Sequence, residues 1–451
     1  MKIIIAGCGN VGRLLAGRLS REGHDIVMID ENADLLAELD DEVDALGIQG
    51  DATDVAVLKE AGAQDADLLI AVTKYDEKNL LSCLITENLG HCKTIARVGS
   101  PTYHKESAYL EQAFGLEMII NPAYSTARQI GRILQFPHVQ RIDTFERGDI
   151  ELFHFRIGRN CPLSGRSVME VAEKYKCSIL FCTVERKGEI HIPNGSFILQ
   201  EGDDVSATAS RPIITQFFQR IGLPPGSVED VLIAGGGRTA YYLTKDLLEN
   251  HVDVTIVEKD RRRADRLADA LPQATVICGD VMNEKLLAEE EVFGRQAVVV
   301  CTNLDEENLF LSLHLKKSSG AKVITRIHRM SFPETVERLH LDTVINPQIL
   351  TTGIILQYVR SQMSGRGSAV ESLYELENGK AEAIEFSIRA DFPYAGVPLE
   401  KLKFKDNVLV ASIFHEGESI LPRGKSCMYP GDYVVVITSG RKVKTISELF
   451  R

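Results

Sequence analysis

Short runs of β-branched and other apolar residues alternate with stretches of helical periodicity in the first part of each half of the chain. In the first half these apolar runs predict strands at residues 2–6, 25–29, 46–48, 67–72, 94–97 and 117–120. Strands that alternate with amphipathic helices are typical of βαβ units, which build a parallel sheet. The pattern therefore predicts a doubly wound α/β domain.

The pattern changes near residues 141–210 and again near 371–440. Both segments consist of short alternating strands broken by turn residues, with one short helix expected in each. Each contains a Gly-Asp turn that leads into a final strand, namely Gly202-Asp203 before 205–209 and Gly431-Asp432 before 433–437. These segments predict a small α+β or β-rich module.

The same motifs occur twice along the chain, and such a repeat determines the architecture. Ile-Ile-Ile-Ala-Gly-Cys-Gly-Asn-Val-Gly at 3–12 corresponds to Val-Leu-Ile-Ala-Gly-Gly-Gly-Arg-Thr-Ala at 231–240, an offset of 228. Gly-Asp, Thr-x-x-Asp-x-x-Asn and Ile-Asn-Pro motifs follow in the same order in both halves. The sequence thus predicts two doubly wound, Rossmann-like parallel-sheet domains, each followed by a small α+β domain.

The repeat and the composition of the segments between motifs predict seven segments. They are a nucleotide-binding domain at 1–122, a connecting helix at 123–140, a small α+β domain at 141–222, a linker at 223–228, a second nucleotide-binding domain at 229–347, a second connecting helix at 348–368 and a second small domain at 369–451. The linker is assigned because its prolines and glycine favour turn or extended backbone.

Composition restricts the class of protein. The net charge of −13 argues against binding nucleic acid or anionic membranes through bulk charge. No apolar run approaches the ~18–20 residues of a membrane span. The N-terminus enters a turn after a short apolar run, which favours a first strand over a signal peptide. Nine cysteines without a Cys-x-x-Cys pair indicate a reduced, cytoplasmic protein without a zinc site.

The first glycine loop has the context of a dinucleotide-binding fingerprint. Gly7-x-Gly9-x-x-Gly12 follows an apolar strand and precedes a helix, and Asp30 ends the next predicted strand. Such glycines permit a tight turn, a close backbone approach to a pyrophosphate and close helix packing. Asp30 is placed to accept hydrogen bonds from ribose hydroxyls. The alternative is a glycine turn that merely starts a helix.

The second loop departs from this fingerprint. Ala240 replaces the third glycine, and Arg238 follows Gly237 at the helix start, where it either touches a phosphate or is solvated. Glu258 keeps the acid at the same interval. We expect a second nucleotide site, the alternative being a fold that has lost its ligand. The acids disfavour a 2′-phosphate, so NADP is not expected despite the basic run at 261–263.

Further polar residues recur at the predicted carboxyl ends of strands, where a doubly wound sheet contacts its ligands. They are Asp51 and Asp280 after strand three, Thr73-Lys74 and Thr302-Asn303 after strand four, and Arg97 and Arg326 at the end of strand five. The aspartates are expected near adenine or ribose, and the arginines near phosphate.

The chemistry of an enzyme is missing from both halves. No histidine recurs between them, and no cluster has metal-ligand spacing. Cys8 lies in the first loop, where a helix N-terminus would lower its pKa, but Gly236 replaces it in the second. Glu117 and Asp342 are either solvated carboxylates or cation ligands. The apolar helical segments after Ile-Asn-Pro either pair one copy with another or belong to ordinary cores.

The ordered motif set resembles tandem RCK/KTN domains, each followed by the small C-terminal domain of that family. The whole chain resembles the regulatory subunits of Trk-type potassium uptake. The resemblance implies NAD+ or NADH as ligand, with ATP and ADP as further candidates. It also implies a homo-oligomeric ring that gates the integral-membrane potassium-translocating subunit of the Trk system. Such a protein is a cytoplasmic non-enzyme, held peripherally at the inner face of the cell membrane, without nucleic acid.

The resemblance and the repeat together assign ligand-binding residues to both copies. In the first copy they are Gly7, Cys8, Gly9, Asn10, Val11, Gly12, Asp30, Asp51, Thr73, Lys74, Arg97 and Val98. In the second they are Gly235, Gly236, Gly237, Arg238, Thr239, Glu258, Asp280, Thr302, Asn303 and Arg326. The rival hypothesis is an NAD-dependent oxidoreductase with a duplicated cofactor domain, which lacks a candidate acid or base for hydride transfer.

Overall fold

The computed structural model describes residues 1–451 except 40–42, 146–149, 224–227, 291, 330–335, 337–338, 340, 365–369, 377–379, 441–442 and 444. Most of the expected linker at 223–228 and the end of the segment 348–368 thus lie outside the described residues. The chain forms two compact units. One comprises Met1–Gly131 and Glu229–Leu356, and the other Arg132–Val228 and Gln357–Arg451.

The first Rossmann-like domain is a six-stranded parallel sheet. Its strands are β1 Lys2–Ala6, β2 Asp25–Asp30, β3 Ala45–Gln49, β4 Leu68–Ala71, β5 Lys93–Arg97 and β6 Met118–Ile120. They pair in the order β3-β2-β1-β4-β5-β6. The helices are α1 Asn10–Arg21, α2 Ala33–Ala37, α3 Val55–Glu60, α4 Asp76–Leu89, α5 Pro101–Lys105, α6 Ser107–Phe114 and α7 Pro122–Leu134.

An antiparallel five-stranded sheet follows in the chain. Its strands are β7 Val139–Thr144, β8 Ile150–Arg156, β9 Leu180–Arg186, β10 Glu189–His191 and β11 Asp204–Ser210, in the order β10-β9-β11-β8-β7. The helices are α8 Val168–Tyr175 and α9 Arg211–Arg220. The short helix expected within residues 141–210 is α8, and a second helix, α9, follows the last strand of the module.

The second Rossmann-like domain repeats the first. Its strands are β12 Asp230–Ala234, β13 Asp253–Glu258, β14 Thr275–Cys278, β15 Ala297–Val300, β16 Lys322–Arg326 and β17 Thr343–Ile345. All pairings are parallel, in the order β14-β13-β12-β15-β16-β17. The helices are α10 Arg238–Glu249, α11 Arg261–Ala270, α12 Glu284–Glu289, α13 Asp305–Ser318 and α14 Pro347–Ser364.

The last module repeats the antiparallel sheet. Its strands are β18 Val370–Leu376, β19 Ala381–Ser387, β20 Val408–His415, β21 Glu418–Ile420 and β22 Tyr433–Ser439, in the order β18-β19-β22-β20-β21. Within its described residues the helical segments are single 3₁₀ turns at Leu399–Lys401 and Ile446–Leu449, of which the first lies in the segment where a short helix was expected. The predicted fold class, an α/β pair of Rossmann-like domains each followed by a small α+β module, is confirmed.

Burial explains why the apolar runs form these sheets. In β1, Ile3, Ile4 and Ile5 have no exposed surface, so both faces of the strand are covered, as in parallel sheets generally. In the other unit the two antiparallel sheets share a core, in which Leu152 and Cys182 of one sheet pack with Ala383 and Val435 of the other. Among the described residues, no helix combines the length and apolarity that crossing a membrane requires.

Candidate functional site

The first glycine loop is tightly packed on one side and open on the other. Gly7 has φ +108°, and a Cβ there would lie 2.9 Å from the Thr73 nitrogen. A Cβ on Gly12 would lie 1.9 Å from the Gly7 carbonyl oxygen, so glycine is required at this point. A Cβ on Gly9 would meet no atom within 4 Å. Gly9 is the N-cap of α1, and no side chain caps the N–H groups of the first turn of this helix.

Asp30 and Cys8 form the floor of this loop. One oxygen of Asp30 accepts the Cys8 N–H at 2.7 Å and the other accepts the Asn32 N–H at 2.9 Å. Each carboxylate oxygen retains acceptor capacity for a ribose hydroxyl. Cys8 is fully buried, and burial together with the charge of Asp30 raises the pKa of its thiol to about 11. The expected lowering of this pKa was wrong, because the side chain points into the core.

The second loop has the same shape with compensating substitutions. Gly235 has φ +104° and packs against Thr302, and a Cβ on Gly237 would again meet no atom within 4 Å. Glu258 accepts the Gly236 N–H at 2.8 Å, as Asp30 does that of Cys8. A Cβ on Gly236 would lie 2.9 Å from the Glu258 Oε2 atom. It would also lie 2.5 Å from the Leu267 Cδ1 atom, so Leu267 and the longer acid of this copy together leave no room for a side chain, whereas Cys8 fits beside the shorter Asp30.

The Thr-x-x-Asp-x-x-Asn motif ties the strand ends together. Asn79 accepts hydrogen bonds from the nitrogen and hydroxyl of Thr73 and donates to the carbonyl oxygens of Thr73 and Arg97. Asp76 accepts the N–H groups of Gly99 and Ser100. The corresponding residues of the second copy make the same bonds. The motif therefore holds the loops after strands four and five, a role that its spacing did not reveal.

The arginines at the ends of β5 and β16 are anchored beneath these loops. Arg97 donates to the Thr73 carbonyl oxygen at 3.4 Å, and Arg326 to that of Thr302 at 2.8 Å. Arg326 also reaches the Thr239 hydroxyl at 3.4 Å, and its buried Nε has no partner among the described residues. The side chain of Val98 is fully buried in the core of the first domain.

Arg238 lies against the first copy instead of its own loop. A Cβ on Gly99 would be 2.4 Å from the Arg238 Nη1 atom. Burial lowers the pKa of Arg97, and the nearby Arg238 lowers it further against the opposing effect of Asp76. Burial also lowers the pKa of His328, with further lowering by Arg326 and Arg97. Cationic side chains of both copies thus converge, an arrangement that neither loop alone predicted.

The two copies also meet through an aromatic cluster. Asn121 of the first Ile-Asn-Pro donates a hydrogen bond to the Tyr242 hydroxyl oxygen on α10. Tyr124, in the first turn of α7, has its ring centroid 5.5 Å from that of Tyr242 and 4.2 Å from that of His104. The start of α7, the helix after the first Ile-Asn-Pro, therefore packs against the second Rossmann-like domain of the same chain.

A cavity of about 420 Å³ lies over the second glycine loop. It brings together many of the residues assigned to this copy, including Gly235, Gly236, Gly237, Glu258, Asp280, Thr302 and Asn303. Arg238, Thr239 and Arg326 are outside its lining. Lys259, Arg263 and Glu307, which sequence reasoning missed, also line it. Position was the signal that could have found them, since Lys259 directly follows strand two, Arg263 lies in the first turn of the next helix, and Glu307 lies in the first turn of the helix after strand four.

In the first copy the remaining candidates lie at the same strand ends. Asn10 and Val11 begin α1, and Asn10 is exposed. Lys74 is exposed, with its Nζ 4.9 Å from the centroid of the Tyr75 ring. Asp51 follows β3 and accepts from the Thr53 N–H at 2.9 Å. These residues surround the first loop at the carboxyl edge of the sheet, where ligands of doubly wound folds bind.

The described residues hold no group of three or more histidine, cysteine or acidic side chains that could bind a metal. Glu117 pairs with Lys93 at 3.1 Å and Asp342 with Lys316 at 3.7 Å, so each carboxylate already has a cationic partner.

One Ser-His-Asp arrangement occurs away from both loops. His154 contacts the Asp143 carboxylate at 2.8 Å and the Ser206 hydroxyl at 2.7 Å. Ser206 has no exposed surface, so no substrate reaches its hydroxyl. The arrangement satisfies a buried histidine on the sheet.

The fold and these two loops define a class: a tandem of Rossmann-like domains, each carrying a dinucleotide-type glycine loop and each followed by an antiparallel module. The model of the TrkA-N domain matches residues 3–122 and 231–347, and that of the TrkA-C domain matches 152–222 and 383–451. The chain belongs to the TrkA family, with two TrkA-N and two TrkA-C domains.

Full-length relatives agree with this assignment. The Trk system potassium uptake protein TrkA of Vibrio alginolyticus is 29% identical over 459 residues, covering 100% of this chain and 99% of its own. A TrkA homolog of Archaeoglobus fulgidus is 28% identical over 452 residues, covering 100% of both. Among solved structures, the GsuK channel bound to NAD superposes with a TM-score of 0.64 at 17% identity, covering 99% of this chain and 78% of the channel chain. That likeness concerns the fold.

Proposed function

We propose that this chain is a nucleotide-sensing regulatory subunit of a Trk-type potassium uptake system. It gates an integral-membrane potassium-translocating subunit, and it does so as a ring-shaped homo-oligomer at the inner face of the cell membrane. The full-length relatives carry the name of this system. The seven-segment division of the chain given above is part of the proposal, as is its cytoplasmic location.

The observation that carries the proposal is the repeated loop geometry. In both copies the second loop glycine faces open space at a helix N-terminus without a side-chain cap, a position suited to a pyrophosphate. In both copies an acid stands at the end of strand two, held by a loop N–H and with acceptor capacity left for a ribose. These residues fit NAD+ or NADH, and the adenosine and phosphate parts equally fit ATP or ADP.

The ligand-binding residues are proposed copy by copy. The loop residues Gly7–Gly12 and Gly235–Gly237 would hold the phosphates, and Asp30 and Glu258 the ribose. Asp51 and Asp280 would face the adenosine, with Thr73, Lys74, Thr302 and Asn303 beside the phosphates. We assign Arg238, together with Arg97, to the first site because its guanidinium lies at Gly99. Arg326 and Thr239, which contact each other outside the lining of the cavity, would support the loops of the second site.

A regulatory role is favoured over hydride transfer by the cavity of the second copy. Its lining contains no histidine, its one cysteine, Cys301, is buried with a pKa raised by that burial, and the charged groups Glu258, Lys259 and Asp280 are engaged in ion pairs. A dehydrogenase needs an acid or base beside the nicotinamide. A sensor needs only a ligand that binds one arrangement of the domains better than another.

The test has a binding arm and a transport arm. Thermal shifts are measured with NAD+, NADH, ATP and ADP on the wild-type chain, Asp30→Ala and Glu258→Ala. Loss of a charged hydrogen-bond acceptor weakens binding at the mutated site about tenfold or more. In a host lacking its own regulatory subunit, the chain restores potassium uptake at low external potassium together with its transporter. Unchanged nucleotide affinity in both variants, or NADH turnover, would reject the proposal.

A further inference from the structure

The aspartate after strand three is held in the same way in both copies. One oxygen of Asp51 accepts the Thr53 N–H and one oxygen of Asp280 accepts the Met282 N–H, both at 2.9 Å. The other oxygen of Asp51 contacts the Lys78 Nζ at 2.7 Å, and that of Asp280 contacts the Lys259 Nζ at 2.6 Å. Each aspartate therefore has one lysine partner.

The two lysines come from opposite sides of the cleft. Lys78 lies in the first turn of α4, which follows strand four, whereas Lys259 directly follows strand two. The equivalent positions carry the reverse charge, since Glu31 corresponds to Lys259 (31 + 228) and Lys78 to Glu307 (78 + 229). The cleft thus has the same pair of charged positions in each copy, with their signs exchanged.

This exchange of charges changes which elements the lysine joins by ion pairs. In the first copy Lys78 bonds both Asp51 and Glu31, so one ammonium links α4 to the ends of β2 and β3. In the second copy Lys259 bonds Asp280 on its own side, and within the described part of the chain no ion pair joins it to Glu307. The residues Lys259, Asp280 and Glu307 instead border the cavity of about 420 Å³.

Electrostatics agree with a tightly held bridge. Partial burial tends to raise the pKa of Asp51, but hydrogen bonds from Lys78 and Thr53 outweigh it and hold this pKa far below its usual range. Hydrogen bonds to Asp51 and Glu31 raise the pKa of Lys78. All three side chains retain solvent contact, so each ion pair is of the exposed, weakly stabilising kind.

We propose that the Glu31–Lys78–Asp51 bridge closes the adenosine side of the first site, and that it sets the order in which the two sites fill. A ligand entering the first cleft must separate Lys78 from the acids that it holds, whereas the second cleft is open. The second copy, although it lacks the third loop glycine, then binds an adenine dinucleotide first. This inference rests on the proposed function, because it concerns the same nucleotide sites.

The experiment isolates each site in the full-length chain with NADH fluorescence as the readout. Glu258→Ala impairs the second site, so binding in that background reports the first. There, Lys78→Met tightens NADH binding about threefold to tenfold, the range expected from breaking two exposed ion pairs. The charge exchange Glu31→Lys with Lys78→Glu, which reproduces the second copy, has the same effect. Lys59→Met, an exposed lysine on α3, is the matched control and leaves affinity unchanged.

The reciprocal exchange tests the second site. In the Asp30→Ala background, Lys259→Glu with Glu307→Lys builds the bridge there and weakens NADH binding by a similar factor. Unchanged or weakened binding in Lys78→Met overturns the bridge, since Lys78 would then be neutral toward the ligand or attract it. If the wild-type chain binds no NADH at all, the proposed function fails and the bridge with it. Binding that is equal in every exchange variant overturns the bridge alone.

Discussion

Asn121, directly after β6, donates a 2.9 Å hydrogen bond to the hydroxyl oxygen of Tyr242 on α10, and so joins the end of one sheet to the helix of the other glycine loop. Asn121 has 2% of its surface exposed and Tyr242 has 9%. A movement of one Rossmann-like domain relative to the other would have to break this hydrogen bond, unless Asn121 and Tyr242 move together. The pair therefore couples the two Rossmann-like domains directly.

We expect Tyr242→Phe to destabilise the chain by about 1–3 kcal/mol, because it leaves the buried Asn121 amide without its acceptor. The measurement is the midpoint of urea unfolding, since a multidomain chain need not unfold in one step. Tyr241→Phe is the matched control on the same helix and shifts the midpoint little. Equal shifts in the two variants would contradict the coupling.

Gly12→Ala is expected to disrupt the first loop, because the new Cβ would lie 1.9 Å from the Gly7 carbonyl oxygen. We expect a loss of about 3 kcal/mol in stability, as in an overpacked core, together with loss of nucleotide binding at the first site. Thermal melting and NADH titration measure the two effects. Ala240→Gly is the matched change in the second copy and should keep binding there. Wild-type behaviour of Gly12→Ala would show that the loop relaxes freely.

Arg238→Ala is expected to weaken the first nucleotide site, although the residue belongs to the second glycine loop. Loss of a charged partner for phosphate corresponds to about tenfold in affinity. ADP titration in the Glu258→Ala and Asp30→Ala backgrounds separates the two sites. Arg261→Ala, an exposed arginine paired with Asp265, serves as control. If affinity falls only at the second site, Arg238 acts in its own glycine loop and the assignment to the first site is wrong.

The Gly-Asp turns of the two small modules predict different pH responses. Asp203 is held by Arg186 through two 2.7 Å bonds, whereas the equivalent Asp432 is held by His415 at 2.6 Å. The hydrogen bond to Asp432 raises the pKa of His415 above its unfolded value. Its stabilisation is therefore full below the unfolded pKa and is lost as pH rises through the folded one.

His415→Arg should abolish this part of the pH dependence, since arginine stays charged throughout. Melting temperatures of wild type and His415→Arg, compared between pH 5.5 and 8.5, give the measurement. We expect the variant to gain stability relative to wild type as pH rises. A constant difference between the two proteins would mean that His415 does not titrate in this range.

Several features followed from sequence spacing alone. The strands of the first sheet, the two glycine loops and the acids at the ends of β2 and β13 were predicted because local periodicity and fixed intervals specify them. The duplication added the order of domains. These properties depend on residues close together in the sequence, so they can be predicted without knowing the tertiary structure.

Other features depend on residues that only folding brings together. The side chain of Val98, a residue assigned to the ligand, is buried in the core, and its direction at the strand end depends on what packs there. Arg238 reaches Gly99, more than a hundred residues earlier, because the two copies pack together.

The two proposed nucleotide sites show most clearly which features follow from local spacing and which from folding. Their fingerprints ranked the first above the second, because it has all three glycines and the second has Ala240. Local spacing in the chain predicted that both copies place an acid and a glycine loop in register. That Lys78 bridges the two sides of the first cleft, whereas Lys259 pairs on its own side of the second, follows from the folded arrangement, because ion pairs depend on distances in space and not on intervals in the chain.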